Sequence, residues 1–365
     1  MFLQLAIVTT LAGTKTTAGS ADGIGTSASF NDPVGITLDA QGNLYIGEMI
    51  TTCYVRKITT AGVATKFAGN GVCGYQDGQG TNAKLNGIFD FAVSTAGDMF
   101  LCDYYNSRIR KVTSTGAVTT FLGTGSTATT DGTGTNAALY YPIRIGIDTA
   151  ANLYVTGQGV ITTVRKITPG ASMSVLAGST SSGFADGMGT NALFSRAMAV
   201  EVDTNGYLFV FDSSAIRKIS PTAVVTSFVG QQSVSGHVDG QGTNALFSYD
   251  SCCNGLFIAT TGTIFVSDRN NYAVRLISSS GWVSTIAGSG SNGYIDGLGT
   301  AAAFTAITGI TYSTAGYLYT ADFGGQTVRR ILFSPTTTGL CFYFIMICRY
   351  LGPTPTLINR SLDSL

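Results

Sequence analysis

The stretch DGIGTSASFNDPVGITLDAQGNLYIGEMITTCYVRKITTAGVATKF, residues 22–67, decides the fold, because its pattern returns five more times along the chain. Its opening pentad Asp-Gly-x-Gly-Thr recurs at Asp22, Asp77, Asp131, Asp186, Asp239 and Asp296, at spacings of 55, 54, 55, 53 and 57 residues. A second marker, Arg-Lys-Ile or a near variant, keeps the same rhythm from Arg56, Arg110, Arg165, Arg217, Arg275 and Arg329. Two markers in phase six times over define a repeat architecture. Inside the unit, Val34 to Asp39 reads as strand a, Asn43 to Glu48 as strand b, Cys53 to Ile58 as strand c and Val63 to Phe67 as strand d. All are short, rich in β-branched and aromatic residues, and separated by glycine-containing turns. The aromatic of strand b returns at Tyr45, Phe100, Tyr154, Phe209, Phe265 and Tyr319.

Four strands per unit and no helix of useful length predict an all-β chain: a six-bladed β-propeller of four-stranded antiparallel blades. Strand d follows strand c in the first five units but not after Val328 to Leu332. The missing copy stands at the other end of the chain, as Ile7-Val-Thr-Thr-Leu-Ala-Gly13. Pairing there would close the ring and remove an exposed sheet edge. It also accounts for the apolar start MFLQLAIVTTLAG, which lacks the basic flank of a signal peptide. The expected propeller covers 1–334, with repeats near 14–69, 70–123, 124–178, 179–230, 231–288 and 289–334, and 4–13 completing the last blade. Residues 335–365 form a non-repeat apolar tail. Its Leu340 to Ile347 run is too short to span a bilayer and is cut off by Arg349 and Pro353. It could compete for the blade-six edge, bury in a partner or be an artefactual chain end.

Composition narrows the function. The 365 residues carry 20 Lys+Arg against 20 Asp+Glu, with one histidine and 11% charged residues. A neutral chain lacks the basic footprint that phosphate backbones require. A single histidine excludes multi-His zinc sites and two-His relays.

The pattern DGxGTxAxF … GIxxDxxGNLYxxD … IRKIT … VTTxAG resembles the NHL-repeat family of β-propellers, especially the long-repeat, teneurin-type variety, over roughly residues 4–333. That resemblance implies the propeller fold. It also implies several functions, since relatives bind proteins, RNA or sugars and a minority are lyases or calcium-dependent lactonases and hydrolases. Fold alone licenses none of these.

The recurrent residues read first as framework. Each pentad aspartate stands alone, unlike the alternating oxygen ligands of calcium loops, and is expected to bond nearby backbone N–H groups while its glycines take positive φ. Arg56, Arg110, Arg165, Arg217, Arg275 and Arg329 are expected to bridge blades, paired with those aspartates, because a buried guanidinium needs a partner. Glu48, Asp103, Asp212, Asp268 and Asp322 end strand b, with Gly157 in the third unit. They belong to the repeat in the family it resembles, yet an acidic ring near a channel mouth could hold a cation, calcium above all.

Function tends to sit where a repeat breaks its own rule. Asp90 and Arg144 replace Gly35, and Glu201 replaces Thr37. The fifth unit inserts Tyr249-Asp-Ser-Cys-Cys-Asn254 before strand a. Asp90, Arg144, Glu201, Asp250 and Asn254 are therefore the expected ligand-proximal residues at the channel mouth, with ordinary drift as the competing explanation. Cys53 and Cys73 lie on neighbouring strands, close enough for a disulfide. Cys252 and Cys253 read as buried hydrophobes or a redox pair, and His237 as a surface residue.

The expected function is a non-catalytic, monomeric scaffold that binds a protein or a glycan, with no cofactor and no nucleic-acid partner. The alternative is a channel-mouth lyase or calcium-dependent hydrolase. A Lys-poor, Ser/Thr/Gly-rich surface leans to an extracellular or cell-surface setting, although the single sequon lies at Asn359.

Overall fold

The computed structural model describes residues 5–49, 51–157, 162–249 and 254–334. Six sheets are arranged as the blades of a propeller. In blade one, strand a (Pro33–Leu38) pairs with strand b (Leu44–Glu48), b with c (Val55–Ile58) and c with d (Val63–Ala68), all antiparallel. The inner strands of the other blades are Ile88–Val93, Pro142–Ile147, Ala197–Val202, Gly255–Ile258 and Ile307–Tyr312.

Each blade has five strands, one more than the sequence predicts. The extra strand is the Gly-x of the pentad, two residues long: Gly23–Ile24 pairs with strand d in blade one, and Gly78–Gln79 with Ala117–Leu122 in blade two. Both pentad glycines are needed for this. A Cβ on Gly23 would fall 2.8 Å from the carbonyl of Ser27, and Gly25 turns the chain into a 3-10 turn at φ +56°. An L side chain is disfavoured there. So short a strand escapes recognition by alternation, yet it covers the outer edge of the sheet.

The pentad also joins neighbours. The N–H that follows strand d of one blade donates to the second pentad glycine of the next: Gly13 to Gly25 at 3.1 Å, Gly69 to Gly80 and Gly123 to Gly134 at 3.2 Å. Phe30, Phe194, Phe247 and Phe304 follow their pentads as fully buried plugs between blades. Phe304, for instance, sits in one apolar cluster with Val274 and Ala287 of blade five and Ile307 and Ile331 of blade six. Burying such a ring is worth about 2–3 kcal/mol.

The ring closes through the N-terminal strand. Leu5–Ala12 pairs antiparallel with strand c of blade six, Thr327–Ser334, and its other edge receives Gly297–Leu298. Ala6, Val8 and Ala12 are buried there. No helix among the described residues is long and apolar enough to cross a membrane.

Candidate functional site

At the rim, one arginine per blade organises the charges. Arg110 donates from Nη1 to Asp103 at 2.7 Å and from Nη2 to Asp77 at 2.6 Å, and also reaches the carbonyls of Lys84 and Gln76. Arg56 joins Glu48 and Asp22, both at 3.0 Å, and Arg275 joins Asp268 and Asp239, both at 2.8 Å. Arg217 holds Asp212 and Asp186, and Arg329 holds Asp322 and Asp296. Every one of these five arginines and of the five strand-b carboxylates is fully buried. The carboxylates also accept backbone N–H groups, from Asn31 to Glu48, Asn86 to Asp103, Arg196 to Asp212, Ser248 to Asp268 and Ala306 to Asp322. Burial raises Glu48 and Asp103, and the facing guanidinium pulls each back down.

Two expectations change as a result. The strand-b carboxylates do not form an open ring at a channel mouth, because each faces inward onto the guanidinium of its own blade. The arginines likewise do not bridge blades directly. They clamp the pentad segment of their own repeat, and that segment touches the next blade. Blade three departs from the pattern. Gly157 stands where the acid should be, and Arg165 pairs with Asp131 alone among the described residues.

The channel is lined by strand a from all six blades. Glycine brings these inner strands close together: a Cβ on Gly35 would meet the Phe89 carbonyl at 2.8 Å, and one on Gly309 the Val34 carbonyl at 2.5 Å. Blades two and three carry Asp90 and Arg144 at this position, and the contact between neighbours becomes polar. The Ile145 N–H donates to Asp90 Oδ2 at 3.1 Å, and Arg144 Nη1 donates to the Phe89 carbonyl at 3.2 Å while lying 3.7 Å from Asp90 Oδ1. Glu201 reaches over Gly146, its Oε2 lying 3.5 Å from where a Cβ would stand there.

These three residues share a cavity of about 250 Å³ with Thr37, Thr311 and apolar side chains that include Ile36, Leu256, Phe257 and Ile310. The first two residues of strand a do not line it in the blades where that strand is six residues long. At that end apolar groups from several blades meet: Val34, Phe89, Tyr104, Ile143 and Met198 are buried in one cluster, with Met49, Tyr141 and Phe323 packed against it. Tyr104 lies 4.8 Å from Tyr141 and 4.4 Å from Phe89, ring centroid to centroid. The sequence reading missed this aromatic cover. Its signal was the doubled tyrosines Tyr104-Tyr105 and Tyr140-Tyr141, which fall in loops and break no repeat consensus. The polar cluster therefore lies within the channel, below the aromatic layer, and the cavity extends to the far end of strand a at Leu38, Val93, Ile147 and Tyr312.

Burial pushes the Asp90 carboxyl up to about 6, opposed by Arg144 and the Ile145 N–H. Glu201 is raised well above the carboxylate range, first by burial and then by the charge of Asp90. The buried thiol of Cys102 beside them is pushed up too, chiefly by burial and then by Asp90, and stays neutral.

The structure thus brings Asp90, Arg144 and Glu201 together. Asn254 is not with them: it is buried outside the cavity and its Oδ1 accepts the Arg269 N–H at 3.1 Å. Asp250, Cys252 and Cys253 lie outside the described residues, as do Cys341, Cys348, Asn359 and the tail from residue 335. Cys53 and Cys73 are joined as a disulfide with Cα atoms 5.4 Å apart. His237 is half-buried, its Nε2 3.1 Å from Thr285 Oγ1. Among the described residues no three His, Cys, Asp or Glu side chains are grouped to hold a metal ion. The five strand-b carboxylates are committed to arginines, and Asp90 faces Arg144.

No family model matches the chain. A curated protein similar to it, SUPPRESSOR OF QUENCHING 1, chloroplastic, from Arabidopsis thaliana, is 31% identical over 98 residues, which is 26% of this chain. The chain spans only 9% of that protein's length. Among solved structures, an auxiliary nutrient binding protein from Bacteroides ovatus aligns over 91% of this chain and 78% of its own, with TM-score 0.69 and 16% identity. A protein of unknown function from Bacteroides thetaiotaomicron aligns over 90% and 76%, with TM-score 0.69 and 19% identity. A gluconolactonase from Xanthomonas campestris aligns over 90% of both chains, with TM-score 0.56 and 13% identity. At these identities the likeness concerns the fold.

Proposed function

We propose that the protein is an NHL-type propeller of the long-repeat, teneurin-like kind that binds a protein or glycan on one face without chemically changing it. A binding protein and a lactonase share this fold, so the fold does not choose between them. The observation that carries the binding reading is where the charges go. Pentad aspartates, strand-c arginines and strand-b acids are consumed in framework clusters. The three charged residues left in the channel have beside them no metal-ligand set and no nucleophile–base pair among the described residues, which a channel-mouth hydrolase would need.

The test is direct. Calcium and EDTA should leave the melting temperature unchanged. Panels of glycans and lactones should show saturable binding and no product. A calcium-dependent stability rise together with lactone or glycan cleavage would establish the enzyme reading instead. The protein is expected to act as a monomer, checked by light scattering. The Cys53–Cys73 disulfide supports an extracellular or cell-surface setting, since such bonds persist in oxidising compartments. Thiol counting on protein taken from its native source, with both cysteines found reduced, would overturn that assignment.

A further inference from the structure

We propose that the channel cavity is a pocket for a small primary ammonium with an apolar body, its cationic head held between Asp90 and Glu201. The proposal goes beyond the binding of a protein or glycan on one face and does not depend on it.

Size comes first. A cavity of about 250 Å³ holds roughly eight waters at ~30 Å³ each, room for a molecule of about ten non-hydrogen atoms. Accessibility then decides the sign of the charge. Arg144 is 2% exposed and turned into the seam between blades two and three, where it donates to the Phe89 carbonyl and faces Asp90. Little of the guanidinium is left exposed to an anion entering the cavity. Asp90 keeps 15% of its side chain accessible, and Glu201 is half-buried on the cavity wall. The polar surface offered to a ligand is therefore mostly carboxyl.

A second observation points the same way. Thr311 is 4% exposed and lines the cavity, yet its hydroxyl has no hydrogen-bond partner among the described residues. The hydroxyl faces the cavity rather than the protein interior, and a ligand N–H would hydrogen-bond to it. The remaining wall is Ile36, Leu256, Phe257 and Ile310, which suits a hydrocarbon body rather than a ring of hydroxyls.

The charges near Glu201 are Asp90 on blade two and Arg144 on blade three, with the neutral Cys102 thiol behind them. Without ligand, burial and the charge of Asp90 favour the protonated form of Glu201. An arriving ammonium reverses that preference: the Glu201 O–H bond breaks, its proton leaves to solvent, and the new carboxylate accepts from the bound N–H. Binding should therefore release protons to the buffer.

Benzylamine, benzyl alcohol and methyl glucoside serve as probes, titrated calorimetrically into the full chain near neutral pH in two buffers of different ionisation enthalpy. Benzylamine should bind at least about tenfold more tightly than the alcohol, as expected for a charged hydrogen bond. Its heat should differ between the two buffers, as proton release requires. Glu201→Gln should weaken it about tenfold or more and abolish the proton release, with the melting curve confirming a folded variant. If that variant fails to fold, Asp90→Asn takes its place with the same expected loss of affinity. Benzylamine binding with no proton release, or undiminished in both variants, overturns the proposal. Methyl glucoside binding that Glu201→Gln weakens would keep the channel as a ligand site but overturn the ammonium. No saturable binding by any probe overturns both.

Discussion

Two places in this molecule set one guanidinium against two carboxylates, and they differ in almost everything else. At the rim, Arg110 meets Asp103 and Asp77 at 2.7 and 2.6 Å and donates also to the carbonyls of Lys84 and Gln76. In the channel, Arg144 lies 3.7 Å from Asp90, and Glu201 has no charged partner at ion-pair distance among the described residues. The rim cluster recurs around the ring; the channel cluster occurs once. A buried charge pair is neutral to stability at best unless its geometry is very good. The rim meets that condition and serves the framework, whereas the channel falls short of it.

The largest effect expected is at the rim. Arg110→Ala leaves Asp103 buried without its cation, and removing one partner of a buried pair costs about 3–5 kcal/mol. A fall of roughly 10 °C in melting temperature follows for a chain of this size, and an unchanged melt would break the comparison at its root.

The channel is next, and its signature is pH. Asp90 binds its proton more tightly folded, at about 6 against the ordinary 3.8, so the native state holds more protons between those values. Stability from this group is thus full below the lower value and falls as pH rises to the upper one, by about 3 kcal/mol at most. Subtracting the Asp90→Asn profile from wild type in urea melts across that range should isolate this slope. A difference that rises with pH would contradict the assignment. Glu201→Gln should remove a further decline at higher pH.

Arg165→Ala should cost less than Arg110→Ala, about 1–2 kcal/mol, because its only carboxylate among the described residues is the half-exposed Asp131. Equal losses would mean that residues outside the described segments replace the missing acid. Smallest of all, Thr311→Val should change stability by no more than about 1 kcal/mol, since an unmatched hydroxyl contributes little to the fold.

Much of this fold is legible because every blade repeats its instructions. Six in-phase copies turn a weak strand pattern into a strong one, and a gap in the count leads to Ile7–Gly13 as the closing strand. Asp90, Arg144 and Glu201 stand out as violations of that same repeat. What stays illegible involves contacts across the ring. The two-residue pentad strand is too short for alternation to show. The inward turn of Glu48 and its counterparts depends on where strand c places its arginine. Asn254 looks like a ligand residue by position, yet it accepts the Arg269 N–H instead. Arg110 and Arg165 read alike in sequence, and what Gly157, already an exception in the repeat, means for Arg165 shows only in the folded blade.

The closing strand has a consequence for how the molecule is made. Thr9 and Arg330 meet across 321 residues of sequence, so the strand Leu5–Ala12 is made long before the strand it pairs with. Until residues near 328 arrive, Phe30 lacks Val328, a member of its own apolar cluster, and the growing chain is an open arc with two unprotected ends. Closing so long a loop adds little to its entropic cost, which grows only with the logarithm of length. The cost falls instead on time, since non-local pairings make folding slow. The seam between the two chain ends sets the order of assembly.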